Sequence, residues 1–75
     1  MQRYKDIQAD SGIAAYEIGP GSIIIRFNRG GTYLYDGRAP GPTHVAEMQR
    51  LARAGVGLNT YINQHVRGHF AEKLD

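Results

Sequence analysis

Three histidines, His44, His65 and His69, are the side chains of this sequence best suited to proton transfer or metal binding near neutral pH. His65 and His69 stand four apart, a spacing that can put two ligands on one helical face, but Gly68 interrupts the run between them. A zinc site needs His, Asp or Glu in a convergent set, and the sequence marks none. Ser11 and Ser22 sit in turn contexts without a nucleophile-elbow motif, and there is no cysteine to act as nucleophile. "GVG" at 55–57 falls far short of a phosphate loop or dinucleotide fingerprint. The carboxylates are scattered, with no pair set up for acid–base work. The expectation is a protein that is not an enzyme and has no catalytic residue, metal site or cofactor.

Binding chemistry is better supplied. Of nine basic side chains, seven are arginine, the residue suited to bidentate contact with phosphate or carboxylate. The net charge of +2 is uneven: residues 1–37 are neutral overall, and residues 38–75 carry the excess. Between residues 26 and 67, six arginines face only Asp36 and Glu47. "YLY" at 33–35 adds two tyrosines that can stack on bases, so Arg26, Arg29, Tyr33, Tyr35, Arg38, Asn63 and Arg67 are the candidate contacts to RNA or another nucleic acid. The plain alternative is that the tyrosines are core and the arginines solvate the surface. A third reading is self-association, with Ile24 and Leu34 forming an apolar strip that a monomer this small does not easily cover.

The elements that must position these residues follow from the pattern. "MQRYKDIQAD" has little periodicity and is expected to be a loosely ordered arm, residues 1–10. "SGIAAYEIG" supports a short strand, "PGS" a turn, and "SIIIRFN" the strongest strand, with Ile23, Ile25 and Phe27 on one face. "RGG" closes a hairpin into "TYLYD". After "GRAPGPT", a helix is expected with Thr43 as its N-cap, Val45, Met48, Leu51 and Ala52 at helical spacing, and Gly55 as its stop. A second helix places Leu58, Ile62 and Val66 one turn apart and ends at Gly68. Asn63 and Arg67 then share another face at i,i+4. There Arg67 either braces Asp36 or a backbone carbonyl, or joins Asn63 in a polar pocket beside the tyrosines. The fold class is α+β: a three-stranded antiparallel meander followed by two short helices packed on one face. Phe70 is expected to tuck against the body, with 71–75 as a tail.

Hairpin loop length decides which way the tyrosines point. An odd loop turns Tyr33 and Tyr35 to the side of Ile23, Ile25 and Phe27, making them core. A two- or four-residue loop pairs Ile25 with Leu34 and turns both tyrosines toward Ile24 and Arg26. "NRGG" suits a three-residue loop with glycine in the left-handed position, which favours core-facing tyrosines.

Seventy-five residues make one domain near the lower size limit for folding without staples, and no disulfide can add to its core. At 41% hydrophobic and 21% charged residues, the chain is globular rather than disordered. No apolar run approaches a membrane span and no signal-peptide pattern opens the chain, so the expected location is cytoplasmic, without a membrane partner.

The order of features resembles the KTSC domain, a small bacterial domain found at the C-terminus of some lysyl-tRNA synthetases and also as a stand-alone protein. The family's central Tyr-x-Tyr matches Tyr33 and Tyr35. Its later run of aromatic, Asn, two spacers, aliphatic, Arg, two spacers and aromatic matches Ile62, Asn63, Val66, Arg67 and Phe70, with Ile62 aliphatic where the family is aromatic. The resemblance covers roughly residues 11–70, which sets the domain. Its synthetase context suggests RNA binding. Leu34, apolar where a polar spacer suits an exposed position, instead favours a protein–protein or homodimer role.

Overall fold

The computed structural model describes residues 1–7 and 12–75. The β-branched run of strand β3 (Ser22–Phe27) forms the centre of an antiparallel sheet. It is joined to β2 (Ile13–Gly19) through Pro20 and Gly21, the latter with φ 65°, and to β4 (Thr32–Tyr35) through Asn28–Gly30. The expected meander is present, but the sheet has five strands rather than three. Gln2–Arg3 (β1) pairs with β2, and Glu72–Lys73 (β5) pairs with β4, giving the order β1-β2-β3-β4-β5. These two-residue edges carry no alternation that a sequence pattern could register. Backbone bonds hold them, from Tyr4 N to the Ala14 carbonyl at 3.0 Å and from Leu74 N to the Thr32 carbonyl at 2.8 Å.

The beginning of the expected loose arm is therefore docked. Tyr4 is buried, meets Tyr16 edge-to-face with ring centroids 6.5 Å apart, and accepts a hydrogen bond on its hydroxyl from the Leu58 amide. Residues 8–10 of that arm and Ser11 lie outside the described residues.

Helix α1 (Pro42–Ala54) begins with Pro42 in its first turn, where the missing N–H costs nothing. Its N-cap is Gly41, not Thr43, and no side chain caps it. It stops at Gly55, in the left-handed region at φ 76°. A Cβ added at Gly55 would lie 2.7 Å from Lys5 Cβ, so glycine is needed there twice over. The second helical segment is split: Leu58–Tyr61 is α-helical (α2), and Ile62–Val66 winds as a π-helix.

Alternation along the strands sends Ile23, Ile25, Tyr16 and Tyr35 to one face, where they pack with Val45, Met48, Leu58, Ile62 and Val66 in a single core. Ile23, Ile25, Met48 and Leu58 are fully buried, each contributing about 1.5–3 kcal/mol of apolar transfer energy. Gln49 Nε2 ties α1 to the β2–β3 turn, donating to the carbonyls of Gly19 (3.2 Å) and Ser22 (2.8 Å). Among the described residues, no buried side-chain nitrogen or oxygen lacks a hydrogen-bond partner. No described helix is long and apolar enough to cross a membrane.

Candidate nucleic-acid interface

The β3–β4 loop has three residues, closed by Phe27 N donating to the Gly31 carbonyl at 3.0 Å. Gly30 takes φ 99°, the left-handed side that only glycine adopts cheaply. The resulting register pairs Ile25 with Tyr33, Ile24 with Leu34 and Ile23 with Tyr35. Both tyrosines thus face the core side. Tyr35 is 4% exposed, and burial, with Tyr33 nearby as the lesser cause, pushes its phenol up to about 12. Tyr33 is partly buried between Phe27 (centroids 5.7 Å) and Phe70 (4.7 Å), with Lys73 Nζ 5.8 Å from its ring centre. The rings are engaged with the protein's own side chains.

The arginines singled out in the sequence do not form one patch. Arg26 stands on the opposite face of the sheet from the core, in register with Ala15 and Thr32, and Arg29 lies in the adjoining hairpin loop. Arg38 follows the other end of β4. Its Nη2 donates to Asp36 Oδ2 at 2.9 Å and its backbone N–H to Oδ1 at 2.8 Å, which holds the Asp36 carboxyl below the usual carboxylate range. Asp36 thus braces Arg38, not Arg67. Asn63 and Arg67 are both exposed. Asn63 sits in the π-helical turn, and Arg67 follows it with ψ 125°, outside the helix.

Two cations that the sequence reading left in the loose arm join Arg26. Arg3, Lys5 and Arg26 line one cleft of about 550 Å³, together with Asn28, Asp6 and Ala15. None of the three makes an ion pair with a described residue, whereas Arg38 and Arg50 are paired with Asp36 and Glu47. In the folded chain Arg3 and Lys5 flank the buried Tyr4, an alternation too short to register in the sequence.

Sequence reasoning also missed a ring cluster in the helical layer. The Tyr61 hydroxyl and His44 Nδ1 share a 2.7 Å hydrogen bond, and His65 lies over Tyr61 with centroids 4.6 Å apart. Partial desolvation, with Glu47 nearby, raises the Tyr61 pKa. The rings come from α1, α2 and the π-helical turn, so no local motif announces them. Among the described residues, no group of three His, Cys, Asp or Glu side chains could hold a metal ion.

The apolar pair expected to mediate self-association is present on the outer face. Ile24 and Leu34 lie directly opposite one another, partly exposed, with Glu17 beside Ile24 and Glu72 beside Leu34 in the same cross-strand row. No family model matches the chain, and neither the curated proteins nor the solved structures include one similar to it.

Proposed function

We propose that this chain is a non-catalytic binding module that holds nucleic acid, RNA foremost, by its phosphate backbone. The contact is the basic hairpin end of the sheet, where Arg26 lines one cleft with Arg3 and Lys5 and Arg29 lies in the adjoining loop. One observation carries this reading: these cations have no acidic partner among the described residues, while Arg38 and Arg50 do. Unpaired arginines gain the most from phosphate, because no internal ion pair must be broken first. The engaged tyrosines make backbone contact the main mode of binding rather than base stacking, so sequence preference should be weak. The resemblance to the KTSC domain supports the same reading, and with it a cytoplasmic, bacterial setting.

Sedimentation with and without a mixed RNA pool, at two salt concentrations, tests it. The expected result is a complex whose log affinity falls with log salt with a slope of about 0.7 per phosphate contact. A protein that ignores RNA at low salt refutes it. The second reading, a homodimer through Ile24 and Leu34, rests on their partial exposure on the outer face. It is expected to give a dimer without RNA whose stability barely responds to salt.

A further inference from the structure

We infer that Arg3 and Arg26 form a two-armed clamp that closes on one phosphate group over Ala15. The inference rests on the nucleic-acid reading for its ligand but not for its geometry. Arg3 is in register with Ala15, and Ala15 with Arg26, so the three form one row across β1, β2 and β3. Tyr4 and Ile25, the chain neighbours of the two arginines, are buried in the core, so alternation sends both guanidinium groups to the outer face. The row spans two strand spacings, about 10 Å between the arginine backbones, a gap that two long side chains close from either side. The middle position is alanine, 4% exposed, whose small side chain lets two long arms approach each other across it. A larger residue at Ala15 would hold them apart.

Three further observations favour phosphate as the occupant. The same row borders the 550 Å³ cleft, where Lys5 and Asn28 add a third cation and an amide donor, and where Asp6 is the one acid among the described lining residues. Neither arginine is neutralised by a described carboxylate. The strand bearing Ala15 is irregular at this point, its register slipping by one residue between Ile13 and Ala15. Such bulges increase local twist and re-aim side chains at sheet edges. Arg forks match the paired oxygens of a phosphodiester, and Lys5 supplies a point charge for the neighbouring group.

The experiment follows amide NMR shifts of the full chain during titration with a short single-stranded RNA and, separately, with inorganic phosphate. It is repeated on the exposed-site variants Arg3→Ala/Arg26→Ala and Arg3→Lys/Arg26→Lys, with Arg50→Ala as control. The clamp predicts that both ligands shift the amides of Arg3, Ala15 and Arg26. The double alanine variant should lose at least tenfold in RNA affinity, with a salt slope lower by about 0.7, the value for one phosphate contact. The double lysine variant should keep the slope and lose several-fold in affinity, because the charge remains and the fork is gone. If RNA binds the double alanine variant as it binds the parent, the clamp is overturned and the nucleic-acid reading survives. If phosphate shifts the row but RNA does not bind, the clamp stands and the nucleic-acid reading fails. If neither ligand moves these amides, the clamp is overturned.

Discussion

The two faces of the sheet are built from the same strands, residue by alternate residue, yet they do different work. Along β3, Ile23 and Ile25 are fully buried while Ile24 is partly exposed and Arg26 exposed. Along β4, Tyr35 closes the core and Leu34, its immediate neighbour, looks away from it. The inner face carries the apolar area that keeps a 75-residue chain folded. The outer face carries an apolar pair between two glutamates, with an arginine row beside it. Stability is therefore concentrated on one side and available charge on the other. A dimer through Ile24 and Leu34 would lie over the row that holds Arg3 and Arg26, so the two proposed uses of this face compete.

The largest expected effect is the sharpest test of that contrast. Tyr35→Ala should cost about 3–5 kcal/mol, the range for truncating a buried aromatic, and so leave little or no folded protein. Leu34→Ala, one residue away, should cost about 1 kcal/mol or less, since only part of its side chain leaves water on folding. Thermal melts of the two variants check this. A Tyr35→Ala protein that melts near the parent would mean that the inner face is not where the stability lies.

The central meander, the first helix and the inward tyrosines were legible because each rests on local signals. Ile23, Ile25 and Phe27 alternate, "NRGG" fits a three-residue loop, and Val45, Met48 and Ala52 recur at helical spacing. The edge strands were not legible. Gln2, Arg3, Glu72 and Lys73 are polar and exposed, and backbone pairing to β2 and β4 decides their conformation. The π-helical turn was missed for a related reason. "INQHV" shows ordinary helical periodicity, and nothing in it signals a wider turn. Of the candidate site, Arg26 and Arg29 were legible as candidate phosphate contacts near the hairpin. Arg3 and Lys5 were not, because a segment read as loose cannot be assigned a face.

A middling effect is expected in alkali. Tyr35 holds its proton more tightly in the folded protein than in the unfolded chain, with a pKa of about 12 against 10.0. Its contribution is therefore intact below pH 10 and is lost as pH rises toward 12. The fall should be at most about 2.7 kcal/mol, and less where the hydroxyl reaches water as it ionises. Tyr35→Phe should remove that part of the alkaline loss while changing stability little at pH 7. Comparing denaturant midpoints of the two proteins at pH 8 and pH 11 isolates it from the other tyrosines and lysines. Identical alkaline losses would show that the Tyr35 hydroxyl is not shielded.

The smallest effect separates paired from unpaired cations. Arg38 is held by Asp36 past the far end of β4, in the open, where an ion pair is screened and adds little to stability. Asp36 is acidified in the folded state, so its contribution is present at neutral pH and fades as pH falls through its lowered pKa. Arg38→Ala should move the melting temperature at pH 7 by no more than about 2 °C, and by less in high salt, where exposed charges are screened. Its effect on RNA binding is the more telling measurement. A guanidinium already committed to a carboxylate releases few counterions from RNA, so the salt slope should match that of the parent protein. Arg29→Ala, at the unpaired end, should lower that slope by about 0.7. If Arg38→Ala lowers it equally, Asp36 gives way to phosphate, and the binding track runs the full length of β4 rather than stopping at the hairpin end.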